Sequence, residues 1–304
     1  MSRAIPAIAL AVCMGVVPAA RSQQLEPRAY ANSPTGMTFA IAGYGYSEGD
    51  VLLEASAPLE DGKITSNSLV LAFARSLRLW GDGGKIDVVV PYAWASGTAT
   101  LAGEPQRRDV DGFGDPTARF TWNFVGAPAL TLPEYRHYQP HWIVGASFSL
   151  GMPLGQYDAD KLLNIGLNRW SFKAELGVSK TWKRWTYELV TGATFYTDND
   201  EFLVTSTREQ DPLFSTQAHV IYSLGRSAWA AFDGTYYAGG TTTLDGQVND
   251  DRQSNSRLGV TLSMSVTPQQ SFKLYASTGA TARIGGDFTT AGIVWQYRWG
   301  GKAS

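Results

Sequence analysis

Cysteine is almost missing from this chain: Cys13 is the one example in 304 residues. It lies in the N-terminal apolar run, so everything after it is free of disulfides, which secreted domains of this size often carry. Histidine is nearly as scarce, at positions 137, 141 and 219, and no Cys or His cluster has metal-ligand spacing. No Gly-x-Ser-x-Gly elbow, phosphate loop or dinucleotide fingerprint occurs, and no cofactor is expected. No apolar run after residue 22 is long enough for a membrane helix, which needs roughly 20 residues. Charge is sparse at 17 %, and acidic residues outnumber basic ones by 27 to 25, which argues against nucleic acid as a partner.

What is present begins at the N-terminus. Arg3, the apolar run 4–17 and the small residues Ala20 and Ser22 read as a secretory signal peptide over residues 1–22, cleaved before Gln23. A lipoprotein reading of Leu10-Ala11-Val12-Cys13 is weakened by the valine before the cysteine. Cleavage would take away Arg3 and Arg21, leaving 23 basic residues, two fewer than 25, against the same 27 acidic ones. The remaining chain is rich in glycine (32) and in tryptophan (10), tyrosine (14) and phenylalanine (13), a composition that suits membrane strands.

Period-two alternation recurs in segments of about ten residues. Over residues 170–182 one parity reads Trp170, Phe172, Ala174, Leu176, Val178, Lys180, Trp182, and the other is Ser171, Lys173, Glu175, Gly177, Ser179, Thr181. Twelve residues in a tilted strand rise roughly 28 Å, which matches two aromatic girdles flanking an outer-membrane apolar band. Lys183-Arg184 then reads as a tight turn, setting Trp182 opposite Trp185 and Ser179 opposite Glu188. Residues 117–124, 142–150, 257–266, 272–282 and 287–299 alternate in the same way. In 64–79 Arg75 shares parity with Leu71, Phe73 and Leu77, which suggests a bulge or a place near the rim.

The links separate into two kinds. Residues 81–84, 183–184, 225–227 and 268–270 are short; 47–63, 101–113, 152–169, 198–212 and 240–255 are long. Alternating short and long links is the pattern of periplasmic turns and extracellular loops. Links 125–141 and 283–286 break it, one too long and one too short. The expectation is an all-β fold: a transmembrane antiparallel β-barrel of twelve strands over residues 38–299. A periplasmic segment 23–37 would precede it and a tail 300–304 follow it, with the barrel in the bacterial outer membrane. Sequence alone does not show which parity faces outward. A soluble lipocalin-like barrel or a sandwich would point its apolar parity inward.

The inward parity of the membrane reading carries Asp87, Arg119, Lys173, Glu175, Glu188, His219, Asp233, Arg257, Lys273 and Arg298. Mixed charge inside a barrel either tunes permeation or forms a salt-bridged filling. His219 shares parity with Ser215 and Ser223, so a barrel-wall Ser/His hydrolase is a rival reading, and a closed structural or surface-interaction barrel is another.

Several stretches resemble the outer-membrane family associated with the meta-pathway of phenol degradation. They are Leu25-Glu26-Pro27-Arg28-Ala29-Tyr30-Ala31-Asn32-Ser33-Pro34-Thr35-Gly36, Gly114-Asp115-Pro116, Gly126-Ala127-Pro128-Ala129-Leu130, Pro153-Leu154-Gly155-Gln156-Tyr157, Asn164-Ile165-Gly166-Leu167-Asn168-Arg169-Trp170 continuing to Glu175-Leu176-Gly177-Val178-Ser179, Arg208-Glu209-Gln210-Asp211-Pro212 and Tyr236-Tyr237-Ala238-Gly239-Gly240. The resemblance implies a transporter-like barrel and names no catalytic residue. The expected function is passive passage of small hydrophobic or aromatic compounds, without enzyme activity. Expected partners are the lipid bilayer, the small-molecule permeant and the barrel-assembly machinery. Asn168 and Arg169 are candidates for a rim or constriction motif. The other candidate lumen residues are Arg119, Lys173, Glu175, Glu188, His219, Asp233, Arg257 and Lys273.

Overall fold

A computed structural model describes residues 26–52, 59–101, 103–225, 227–283 and 285–301. The expected signal peptide 1–22, residues 23–25 and the tail from 302 lie outside the described residues. In chain order the described elements are β1 (Met37–Leu52), β2 (Leu59–Leu79), β3 (Asp82–Leu101), β4 (Glu104–Phe113), β5 (Thr117–Pro128), the short helix α1 (Leu132–Tyr135), β6 (Trp142–Gly151), β7 (Ser171–Trp182), β8 (Trp185–Tyr196), β9 (Asn199–Phe202), β10 (Ser206–Gln210), β11 (Leu213–Ser223), β12 (Ala228–Gly239), β13 (Thr242–Leu244), β14 (Gln247–Val248), β15 (Gln253–Ser265), β16 (Gln270–Thr281) and β17 (Gly285–Gly300).

Twelve of these strands close a ring of antiparallel neighbours: β1, β2, β3, β5, β6, β7, β8, β11, β12, β15, β16 and β17. The last strand pairs with the first from Met37↔Gly300 to Leu52↔Gly285, which leaves no free barrel edge. The hairpin register is the one the sequence predicts, with Trp182↔Trp185 and Ser179↔Glu188.

The direction of the parities settles what the alternation means. Leu71, Phe73, Leu176, Leu189, Phe232 and Val260 are exposed on the outer wall, while the buried polar set includes Thr121, Ser147, Ser179, Gln217, Asp233 and Thr261. This inverts a soluble barrel and matches lipid outside. Aromatic side chains mark the ends of the band, as in the stacked series Trp295, Tyr297, Trp299 and the Trp80–Trp122–Phe124 cluster. Lys180 lays its ammonium over Trp142 at 4.6 Å from the ring centre, burying its stem while keeping the charge at the boundary.

Three expectations are corrected or sharpened. Arg75 does point outward, but the β2–β3 register is unbroken through it, so there is no bulge; it lies four residues before the end of β2, near the rim. The link 101–113 is not a loop but contains β4, paired with the upper half of β3 from Tyr92↔Phe113 to Leu101↔Glu104. The lower half of β3 pairs with β5 instead, so β4 and β5 are one strand broken at Gly114-Asp115-Pro116. A 20-residue strand such as β3 spans roughly 65 Å, far beyond an apolar band of about 25 Å. Its outer part and β4 therefore stand beyond the apolar band: Arg107, Asp109 and Asp111 face outward into water, while Val110 packs with Ala93, Ala95 and Ile165 on the inner face and Arg108 donates to Leu163 O at 3.0 Å. The long links after β8 and β12 likewise hold β9, β10, β13 and β14, which form a separate four-stranded sheet.

The anomalously long link 129–141 has a structural role. Glu134 accepts from the Thr131 N–H and hydroxyl, both at 2.7 Å, and caps α1. The link then braces the segment before β1: Thr35 N–H donates to Leu130 O at 2.8 Å and Tyr135 Oη to Asn32 O at 2.8 Å.

Candidate functional site: a lumen occupied by the N-terminal segment

The segment expected as a periplasmic extension enters the barrel. From the rim at Pro34, whose carbonyl accepts from Ser76 Oγ, the chain runs inward to Glu26. Asn32 Nδ2 donates to Pro128 O at 3.0 Å, and Asn123 Nδ2 donates to Tyr30 O at 2.9 Å. Arg28 adopts a left-handed backbone at φ 69°; its N–H donates to Glu188 Oε2 at 2.6 Å, and its guanidinium lies 5.4 Å from the Trp229 ring centre. Tyr30 is 3 % exposed, packed with Ala127, Ile143 and Val190, and its hydroxyl meets Ser147 Oγ at 3.1 Å.

Two glycines make room for Tyr30. Gly145 of β6 and Gly177 of β7 are direct partners across the ladder, both on the lumen side. A Cβ at Gly145 would come within 2.8 Å of Tyr30 Cδ1, and one at Gly177 would strike the ring itself. Close approach of a ring to bare backbone is what a glycine in a strand permits.

Above this segment lies a charge network. Arg119 reaches Glu26 through Nη1 and Asp87 through Nε, the latter at 3.2 Å. Lys85 approaches the same Asp87 at 3.7 Å. Lys173 pairs with Glu175 at 2.6 Å, and Ser147 Oγ donates to the other Glu175 oxygen at 3.2 Å. Arg257 donates to Ser277 Oγ at 3.0 Å and to the Phe288 carbonyl at 2.8 Å, tying β15 across β16 to β17. Lys273 also faces this space.

His219 lies within the wall, its side chain fully buried. Its Nδ1 meets Asp233 Oδ1 at 2.7 Å, and Thr261 Oγ1 donates to Asp233 Oδ2 at 2.9 Å. Glu188 stands opposite His219 on β8. Among the described residues no hydroxyl bonds to His219 Nε2, so the serine needed for a Ser/His pair is not in place.

Asn168 and Arg169 are at the outer rim. Asn168, at φ 54°, donates through Nδ2 to Asn199 Oδ1 at 3.0 Å and Glu201 Oε2 at 3.1 Å. Arg169 is 4 % exposed, bonded to Gln210 and set over the Tyr196 ring at 4.5 Å. Asp115 holds the roof: Oδ1 accepts from Gly155 N–H at 2.9 Å and Oδ2 from Leu167 N–H at 2.8 Å. Thus the stretches 114–116, 153–157 and 164–170 brace one another above the lumen.

Between floor and roof is a cavity of about 350 Å³, bounded below by Glu26, Ala29 and Tyr30 and above by Ile165 and Leu167. Of the residues named from sequence, Arg119, Lys173, Glu175, Arg257 and Lys273 line it; Glu188, His219 and Asp233 lie under or within the wall, and Asn168 and Arg169 tie the loops. Sequence reasoning leaves Glu26, Tyr30, Lys85 and Tyr275 out of the candidate site residues, although the alternation reads Tyr275 on the same parity as Lys273. Lys85 shares the inward parity of Asp87 and could have been read from it; Glu26 and Tyr30 lie in a segment with no strand periodicity.

The family model described as "Putative MetA-pathway of phenol degradation" matches residues 43–292. The chain belongs to that family. No curated protein matches it. Among solved structures it is similar to an outer membrane channel from Pseudomonas putida F1, with a TM-score of 0.75 at 22 % identity, covering 91 % of this chain and 100 % of that one. It is also similar to the transport unit of the autotransporter AIDA-I from Escherichia coli, with a TM-score of 0.52 at 12 % identity, covering 92 % and 95 %. At these identities the likeness concerns the fold, and the fold is that of outer-membrane barrels. With the closed twelve-stranded ring and the outward apolar belt, it puts this member of the family in the bacterial outer membrane.

Proposed function

We propose that the barrel is a channel for passive passage of small hydrophobic or aromatic compounds across the outer membrane. The observation that carries this is the lumen cavity. At about 350 Å³ it is large enough for a small organic molecule, and valines, Ile64, Ile165 and Phe288 share its wall with serines, threonines and charges. The solved channel with the same fold and the phenol-degradation association of the family agree with this reading. The lumen residues Arg119, Lys173, Glu175, Arg257 and Lys273 would set which solutes pass, Glu188 would hold the plug, and Asn168 and Arg169 would hold the mouth. The barrel-assembly machinery would insert the chain after a leader over residues 1–22 is cleaved, which N-terminal sequencing of the mature protein checks.

The N-terminal segment fills part of the passage, so the channel is gated by it. In planar bilayers the purified protein is expected to show brief, small openings, and a variant lacking residues 26–32 long and larger ones. If the truncated barrel, shown to be folded by heat-modifiable gel mobility, conducts nothing, the lumen is closed and the barrel is structural. The His219–Asp233–Thr261 chain is read as a strut that satisfies buried polar groups rather than as a catalytic site. Ester hydrolysis by wild type that disappears in His219→Ala would overturn that assignment.

A further inference from the structure

The carboxylates around the cavity are spoken for, but one of its cations is not. Glu26 is held by Arg119, Asp87 by Arg119 and Lys85, and Glu175 by Lys173 and Ser147. Asp115 spends both oxygens on the backbone amides of the roof. Among the described residues Lys273 has no ion pair and no hydrogen bond, although it lines the cavity and is largely withdrawn from solvent. The carboxylates whose fields reach it are Glu26 and Asp233, already bound to Arg119 and to His219 with Thr261. Arg119 opposes it with a like charge. An ammonium withdrawn from bulk water without a counter-charge is costly, and an anion entering the cavity removes that cost.

The neighbours of Lys273 add shape to the charge. Tyr275 follows two residues later on the same face of β16, and Val294 is the direct partner of Lys273 on β17. The Tyr275 ring lies flat against the wall because Gly292 of β17 and Gly45 of β1 carry no Cβ beneath it. The result is an ammonium beside an apolar, aromatic surface.

Resting on the channel reading, we propose that this cavity is a binding station for aromatic monocarboxylates. The carboxylate takes the Lys273 ammonium, and the ring lies against Tyr275 and Val294. A dianion would have to find a second free cation, and Arg257 is already committed to Ser277 and Phe288. A neutral aromatic would gain the surface but not the charge.

The test uses the full-length protein in detergent with benzoate and benzyl alcohol as probes, read by isothermal titration calorimetry. Benzoate is expected to bind saturably and more tightly than benzyl alcohol. Lys273→Gln should weaken benzoate about tenfold or more, the size of a lost charge-assisted hydrogen bond, and leave benzyl alcohol unchanged, while Lys273→Arg retains benzoate. Gel mobility confirms that each variant is folded, and the arginine variant keeps the test decisive if the glutamine variant is not. Equal affinity for the two probes, no saturable benzoate binding, or benzoate binding indifferent to Lys273→Gln overturns the assignment. Conductance of the truncated barrel stays a separate readout, so loss of the carboxylate site and loss of the channel reading are told apart.

Discussion

Two tyrosines lie on two glycine bays of the same lumen, and they are tethered differently. Tyr275 rests on Gly292 and Gly45 and belongs to β16, a strand of the wall. Tyr30 rests on Gly145 and Gly177 and belongs to the segment ahead of β1, which is no part of the barrel ladder and which the proposed gating would withdraw. The same packing device therefore makes a lining built into the wall on the β16–β17–β1 side and, on the gated-channel proposal, a removable one on the β5–β8 side. What distinguishes lining from gate is the covalent route to the ring, not the contact it makes.

Four substitutions break or sharpen this contrast, in falling order of expected effect. Arg119→Gln removes the group that binds Glu26 and Asp87 together. Leaving two half-buried or buried carboxylates without it should destabilise the plugged arrangement by about 3–5 kcal/mol, and bilayer recordings should show a large rise in open time. Gly177→Val drives a side chain into the Tyr30 ring. Overpacking costs about 1–3 kcal/mol, and here it is relieved by ejecting the segment, so conductance should rise while the barrel keeps its gel mobility. Gly292→Val makes the same clash with Tyr275, which has nowhere to go. The expected loss is of similar size, about 1–3 kcal/mol, but it should show as a lower unfolding temperature with little gain in conductance. If both glycine variants lowered stability and neither opened the pore, the difference in tether would be irrelevant. Tyr30→Phe removes only the hydroxyl bond to Ser147, worth about 1 kcal/mol, and should lengthen openings slightly.

The wall was legible in the sequence because lipid imposes a rule on every second residue. That rule gave the twelve strands, the Trp182–Trp185 register and the inward set from Arg119 to Lys273. It failed where the rule stops. β4 rises above the bilayer, where its outward residues Arg107, Asp109 and Asp111 are charged rather than apolar, so Arg107 to Asp111 read as a loop. Glu26 and Tyr30 pack by long-range complementarity to Arg119, Gly145 and Gly177, and nothing local to the segment records those partners. Rim residues were half legible. Asn168-Arg169 marked a place, but its meaning came from Asn199, Glu201 and Gln210, which belong to a later loop.

The closure of the ring by β1 and β17 has a consequence for assembly. Partners such as Met37 and Gly300 come from opposite ends of the chain, so this ladder carries the largest loop-closure penalty and forms late. Residues 26–36 are joined directly to β1 and enter from the rim where β1 begins, so they need not be threaded through a finished ring from the far side. A nascent barrel can seal with the segment outside and draw it in afterwards; on the gated-channel proposal, the last folding step of the molecule and the closing stroke of its gate would then be the same movement.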